Sequence, residues 1–389
     1  MPFADSNLVD VLIGVESTYG TPPVDFTRAR LTGESLNQNI QTTISNEIRS
    51  DRKTSSLVRT ASGPGGDLNV ELSYGSFDVL LEALMASTWG ATIDITDTIT
   101  AQDNGGFLQF DSVAADFSAI VVGQWVKVSG YVNTTLNTYH RVTAVVAGGG
   151  NDSITTATVF VAGEAGGGDE NIKGSIIRDG VTKRSFSIQK EFTDLTNVFH
   201  LFAGMRIGQG QFSFQPGAIV TGSMSYLGST FTQTATTAAT GTTTAASTTD
   251  VLNAVDNVKG IVEDDIASTL DMLQLSLSIT NNLRAQQAVG SLAPVGIGYG
   301  RADVTGTLQA YLEDGSLVTK LNNGTKFSLS WRFEDSAGNA LIMTLPRTEL
   351  TSLNVVAGGI NQDVVADGQY QATLDPVTAC QVQFDRIPA

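Results

Sequence analysis

The sequence predicts a mainly β protein, and three observations carry that prediction. Stretches in which apolar and polar residues alternate recur along the chain, as in DLNVEL (67–72) and KRSFSIQKEF (183–192), and a period of two turns one set of side chains inward and the other outward. Gly is abundant at 40 residues and Ser and Thr are frequent, whereas Pro, at 9, is too scarce to break many strands. Helical spacing is confined to two short segments. In Phe77–Met85 the apolar residues Phe77, Leu80, Leu81, Leu84 and Met85 fall at i, i+3, i+4, i+7 and i+8, with Ser76 as the N-cap. The second segment is EDGSLVTKL, ending at Leu321.

Taken in order, residues 1–30 read as a loose N-terminal arm with a turn at Pro22 and Pro23. Leu31 to Arg59, polar and weakly alternating, predicts a long two-stranded ribbon. SGPGG (62–66) predicts a turn or loop before the DLNVEL strand. Residues 98–173 differ in texture, because GQWVKVSGYV, TYHRVTAVVAGGG and NDSITTATVFVAG are compact strand signals parted by glycine clusters. They predict a small inserted β-domain with Trp125 in its core, bracketed by the host strands ATIDIT and GSIIRDG lying side by side. The host resumes with KRSFSIQKEF, and QFSFQPGAIVTGSMSYLG (211–228) predicts a hairpin. Residues 229–250, almost all Thr and Ala, predict a linker.

The second half repeats the first in outline. GESLNQNIQ (33–41) is matched by LSLSITNNL (275–283), DLNVEL by DVTGTL (303–308), and SFDVLLEALM by EDGSLVTKL. The strand pair ATIDIT and GSIIRDG is matched by TKFSLSWRFED and NALIMTLPR, with a Gly338–Asn339 turn where the first half carries its insertion. The expected organisation is therefore a first unit at 1–97 and 174–228, an insertion at 98–173, a linker at 229–250 and a second unit at 251–389.

With 41% hydrophobic and 16% charged residues, the chain can build sizeable cores. Its net charge of −17 opposes tight nucleic-acid binding but suits a conduit through which nucleic acid slides. The N-terminus carries no secretion-signal pattern and no apolar run is long enough to span a bilayer, so a soluble protein is expected. The lone Cys380 allows no intrachain disulfide and reads as a small buried strand residue. His140 and His200 stand far apart and read as surface or packing residues, and Glu263–Asp265 as a solvated charge run lacking the spacing of a cation loop. GGG at 148–150 and 166–168 lacks the strand–GxxxxGK–helix context of a phosphate loop. No catalytic, metal or cofactor site is expected, although the many carboxylates leave a glycosidase-type pair as an enzymatic alternative. One segment is basic in an acidic chain: Arg49, Asp51, Arg52, Lys53 and Arg59 form either a solvated hairpin tip or an arm that docks on an acidic neighbouring subunit.

TGESL…SNEIRSDR (32–52), the segment RSFSIQKEF…MSYLG (184–228), GTLQAYLEDGSLVTKL (306–321) and GNALIMTLPR (338–347) resemble the tail tube proteins of long-tailed bacteriophages. The resemblance covers most of the chain outside 98–173 and the Thr/Ala segment. It implies β-sandwich or half-barrel tube domains, each flanked by a helix, whose ribbons join between subunits into a barrel around a lumen. It implies a virion protein made in the host cytoplasm, with stacked rings conducting DNA without specific binding. Its partners would be further copies of itself and the tape measure, terminator and distal tail proteins, with no membrane insertion. Six tube domains per ring and two per chain imply a trimer, a hexamer being the alternative. A rival reading is a β-domain adhesin, favoured if Trp125, Tyr131 and Tyr139 are exposed.

Overall fold

The computed structural model describes residues 3–267 and 271–389. It is mainly β, with helices among the described residues only at Asp78–Leu84 and Ser316–Asn323 and a single-turn helix at Ser6–Leu8. In the first half, Val9–Val15 pairs with Phe186–Phe192, and that strand pairs with Phe199–Phe214. Phe199–Phe214 carries Thr221–Leu227 and Thr230–Thr234. Thr221–Leu227 pairs with Leu57–Glu71, and Leu57–Glu71 with Asn37–Ile44.

The second half runs through the same order of antiparallel pairings. Val258–Glu263 pairs with Phe327–Glu334, and that strand with Ala340–Val356. Ala340–Val356 carries Val365–Ala372 and Gln383–Ile387. Val365–Ala372 pairs with Asp303–Tyr311, which pairs with Met272–Thr280. Even the irregularities coincide. Register shifts fall between Phe186 and Ile188 and between Phe327 and Leu329. Others fall between Ile207 and Gln209 and between Leu350 and Ser352. Two buried tyrosines face glycines, Tyr226 opposite Gly66 and Tyr370 opposite Gly306. Ser35 Oγ accepts a bond from Asp67 N (2.8 Å), as Ser276 Oγ does from Thr307 N (3.0 Å).

The halves are joined edge to edge. Met272–Thr280 adds to the far end of Phe199–Phe214, in a register running from Gln209↔Thr280 to Phe214↔Leu275. Leu275, Leu277 and Ile279 are buried at this joint, each contributing about 1.5–3 kcal/mol through lost apolar exposure. One apolar core runs beneath both halves, and both helices pack into it through Leu80, Leu81, Leu84 and Leu317.

Several sequence expectations are corrected by these pairings. The N-terminal arm is no loose segment, because Val9–Val15 is fully paired against Phe186–Phe192 and occupies the place of Val258–Glu263. SGPGG is no turn. It lies inside the 15-residue strand Leu57–Glu71, where Gly65 and Gly66 lie against Thr221–Leu227 and Pro64 contributes its carbonyl to Gly228 N. Gly66, at φ 143°, needs its missing side chain, since a Cβ there would meet the Ser35 carbonyl at 2.5 Å. The Thr/Ala segment is ordered in part: Thr230–Thr234 is a sheet strand, and Thr243–Thr244 pairs in parallel with Phe26–Thr27. Phe77, not Ser76, occupies the N-cap position, without a side-chain cap, and Ser76 Oγ instead accepts from Ser73 Oγ.

Ile93–Asp97 pairs with the first residues of Glu170–Arg178, so ATIDIT meets GSIIRDG only at Gly174, and Ser175 to Arg178 pair with Gln383–Ile387 instead. Between Ile93–Asp97 and Glu170–Arg178 a separate apolar cluster forms around Ile99, Phe110, Phe117, Val126, Val128 and Ile154. The sequence match of this strand pair to TKFSLSWRFED and NALIMTLPR does not hold, because the strands in that position are Phe186–Phe192 and Phe199–Phe214. The extra segment therefore enters between the helix and the strand that follows it. Trp125 lies outside the cluster. It packs on Ala340, Ile342 and Ile387 of the second half, and its Nε1 donates to Thr344 Oγ1 at 3.1 Å.

Candidate functional surface: the polar face of the sheet

The pairings string eight strands into one run: Asn37–Ile44, Leu57–Glu71, Thr221–Leu227, Phe199–Phe214, Met272–Thr280, Asp303–Tyr311, Val365–Ala372 and Ala340–Val356. Most of these strands alternate in burial where they abut, whereas Asn37–Ile44 is almost wholly exposed. Leu68, Phe212, Met224, Leu277, Val304 and Tyr370 point into the core, whereas Asn69, Gln211, Ser223, Ser278, Thr305 and Gln369 point away from it. The outward side is a carpet of small hydroxyls and amides with the carboxylates Asp67, Glu71, Asp303 and Asp367 among them. Residues 65–71, 209–213, 221–227, 274–280, 303–309 and 365–371 include no Lys or Arg.

Side-chain bonds across strands fix this face. Gln209 Nε2 donates to Ser278 Oγ at 2.9 Å across the joint between halves, Ser276 and Thr307 share a 2.7 Å hydroxyl bond, and Ser225 Oγ donates to Asp67. Such a surface offers acceptors and neutral donors but no cation to hold a phosphate. The alternation in GSMSY, LSLSIT and DVTGTLQ was legible in the sequence. What was not legible was that the strands abut and merge their outward faces.

The basic segment lies at the end of the ribbon formed by Asn37–Ile44 and Leu57–Glu71. Arg49, Asp51, Arg52 and Lys53 sit on the exposed tip, and Arg59 stands on the ribbon stem opposite Thr42. Arg49 grips Asp51 at 2.8 Å, and that hydrogen bond holds the Asp51 carboxyl below its ordinary range. The matching ribbon of the second half, with Arg284–Gln286 against Gly296–Gly298, is instead folded onto the first half. There Leu292 O accepts from Ser62 N (2.8 Å) and Pro294 O from Ser229 Oγ (2.7 Å). Arg206 donates to Ile297 O with its guanidinium between the rings of Tyr19 and Tyr299.

The remaining candidate residues have structural partners. His140 is buried, with Nδ1 2.8 Å from Thr158 Oγ1 and Nε2 3.0 Å from Leu136 O, and burial lowers its pKa. His200 lies edge-on to Phe192 and Phe231. Cys380 is buried in the turn before Gln383–Ile387, not in a strand, and burial pushes its thiol up to about 11, far from the range of a reactive thiolate. Asp264 and Asp265 are exposed and Glu263 half-buried, and each of the three also has a partner. Lys320 takes Glu263, Ser328 N donates to Asp264 at 2.8 Å, and Arg141 pairs with Asp265 at 2.6 Å. Trp125 and Tyr131 are buried, and Tyr139 is half-buried beneath Arg332, so the aromatic surface that would favour an adhesin is missing at these residues.

A family profile described as phage tail tube protein matches residues 6–373, from just before Val9–Val15 to just after Val365–Ala372. The chain belongs to the phage tail tube family. No curated protein matches it. Tail tube proteins are structural components of the bacteriophage virion, located in the tail, and the β-rich architecture agrees with that membership. Among the described residues no helix is long and apolar enough to cross a membrane.

Proposed function

We infer that this tail tube protein forms closed rings of three chains that stack into the tube wall, with two tube domains per chain arranged in pseudo-sixfold symmetry. The observation that carries this reading is the edge-to-edge addition of Met272–Thr280 to Phe199–Phe214. It extends one repeat by the next and leaves Asn37–Ile44 unpaired on one flank of the run and the far end of Ala340–Val356 unpaired on the other. Unpaired edges seek partners, and closure into a barrel removes them. The polar face lines the lumen and lets DNA pass during ejection without binding it, while the core, the helices and residues 98–173 lie outside. The domain scheme is a first tube unit at 1–97 and 174–228, an outer insertion and a second unit at 251–389. Rings stack on each other and meet the tape measure, terminator and distal tail proteins at the column ends. Cross-section averages of tubes assembled from the purified full chain test this. Three outer knobs per ring are expected, and six equivalent knobs, or isolated particles without tubes, would overturn it.

A further inference from the structure

The joint inside the chain offers a residue-by-residue template for a joint between chains. Within the chain, Asn281 N donates to Gly208 O at 2.7 Å, so the amides of Leu275, Leu277 and Ile279, on alternate residues, face Phe199–Phe214. On Asn37–Ile44 and the residues before it, the corresponding amides have no strand partner. Leu36 N turns to its neighbour Glu34 Oε2 at 2.9 Å, and Gln38 N to Asn37 Oδ1 at 2.8 Å. At the other flank, Ala340–Val356 pairs with Phe327–Glu334 only as far as Thr348. Beyond it, Val355 and Val356 are 37% and 54% exposed.

The shared landmarks fix how one joint maps on the other. The register shift at Ile207/Gln209 is the shift at Leu350/Ser352, so Ser352 stands for Gln209 and Val356 for Ser213. The serine-to-amide bonds equate Ser35 with Ser276. Ser276 lies opposite Ser213 and Ser278 opposite Gln211. We propose that residues 34–39 of one chain add antiparallel to residues 352–357 of the next copy of this chain, with Ser35 opposite Val356, Asn37 opposite Asn354, Gln38 opposite Leu353 and Asn39 opposite Ser352. The proposal rests on the tube-wall reading and gives it an interface.

The ribbons extend the argument to charge. Thr43↔Val58 and Arg284↔Gly298 are equivalent pairs, so Arg59 stands where Tyr299 stands. Tyr299 packs over Arg206, and Glu349, three residues before Ser352 as Arg206 is before Gln209, takes the place of Arg206. Where the second ribbon lays a tyrosine on an arginine inside the chain, the first ribbon therefore brings Arg59 to Glu349 of the next chain. Neither side chain has an ion-pair partner within the chain among the described residues. The basic tip beyond it, with Arg49, Arg52 and Lys53, follows onto the same neighbour. Ile40 departs from the template, for it replaces Asn281, whose amide bonds Leu84 O and Ile207 O at 2.9 and 3.1 Å.

Cysteine pairs read the register directly, since Cys380 is buried and the background is clean. Asn37 and Asn354 form a pair without mutual backbone bonds, the closer kind, at about 4.5 Å between Cα atoms and within disulfide reach. Full-length N37C/N354C, oxidised during assembly, is expected to give a ladder that stops at three chains on a non-reducing gel. The template pair Q211C/S278C links within one chain, and N37C/V356C, two residues out of register, does not link. Linkage of N37C/V356C, or no linkage of N37C/N354C in preparations that show tubes, would overturn the register and leave the tube reading standing. The absence of rings and tubes from the unaltered chain would instead remove the tube reading itself. Arg59→Glu should raise the concentration needed for assembly about tenfold, and adding Glu349→Arg should restore it. A double variant no better than the single one would overturn the Arg59–Glu349 contact.

Discussion

Replacing Gln38 by proline isolates the interchain joint from the fold of the monomer. The Gln38 amide takes no part in the ladder to Leu57–Glu71, where Gln38 faces Pro64, and it donates to the side chain of Asn37. Proline at this edge therefore removes a donor the monomer does not need, at a position where proline is tolerated. At the joint, that donor would serve the carbonyl of Leu353, and the variant leaves the carbonyl facing an apolar ring. An unsatisfied carbonyl in a newly buried strand pair costs about 2 kcal/mol, which weakens each joint about 30-fold. A ring closed by three such joints loses about 6 kcal/mol in all, since separated sites add. The assay is the critical concentration for tube formation, read by sedimentation and electron microscopy, with circular dichroism and thermal unfolding confirming that the monomer is intact. Tubes at the ordinary concentration from a folded Gln38→Pro protein would show that this edge is not the joint.

Asp385 is buried where the insertion meets the second half, accepting bonds from Trp125 N (3.2 Å) and Gln383 Nε2 (2.8 Å), and burial raises its pKa to about 7 against 3.8 for a free carboxyl. A carboxyl raised on folding is most stabilising when protonated, so this group's contribution is lost as pH climbs from about 4 to 7, by up to about 4 kcal/mol. Asp385→Asn should flatten the dependence of melting temperature on pH over that window, and an unchanged slope would refute the assignment. Gly306→Ala places a Cβ against the Ser276 carbonyl and the Tyr370 hydroxyl, so the backbone must shift. A loss of at least about 2 kcal/mol is expected in denaturant unfolding, and a neutral result would mean the Tyr–Gly pairing is not tight. Ser223→Arg with Ser278→Arg puts cations on the polar face; tubes should still assemble but retain added DNA at low salt, and DNA-free tubes would place that face away from the lumen. Replacing residues 98–169 by a short turn while keeping Glu170–Arg178, which pairs with Gln383–Ile387, should preserve tubes but lower the melting temperature by several degrees. The Trp125 contacts on Ala340, Ile342 and Ile387 are what is lost, and an unchanged melting temperature would count against them.

Alternation revealed most strands because it records which side faces the core, and the helix spacing of Phe77–Met85 held because Leu80, Leu81 and Leu84 are buried together. Val9–Val15 escaped notice because VDVLIGV is short and, with Leu12 and Ile13 adjacent, shows no clean alternation, and its partner lies about 180 residues away. SGPGG misled because Gly and Pro ordinarily mark turns. Here the glycines answer close backbone approach at Ser35, and Pro64 needs no donor, contributing only its carbonyl to Gly228. The repeat was visible as order, but its alignment was shifted: the structure sets DLNVEL against TLQAYL (307–312), four residues past DVTGTL, because Gly66 matches Gly306. The basic residues of the ribbon could be named from composition alone, whereas the partner proposed for Arg59 follows only from the register of Tyr299 and Arg206.

Covalent linkage of two repeats changes how a ring comes together. Within the chain, the joint at Gln209–Phe214 forms between partners held by the segment that runs from Leu227 to Met272, at an effective concentration on the order of millimolar that dilution cannot lower. In the proposed ring, half the seams of the wall are thus completed during folding, and closing the circle needs three bodies to meet rather than six. The tethered seam is sealed by Leu275, Leu277 and Ile279, and the free one carries Glu34, Leu36 and Gln38 in those places. In the proposed ring, this more polar free seam would keep an unassembled chain from sticking to the wrong neighbour and leave a misjoined pair free to separate before the third member locks the ring.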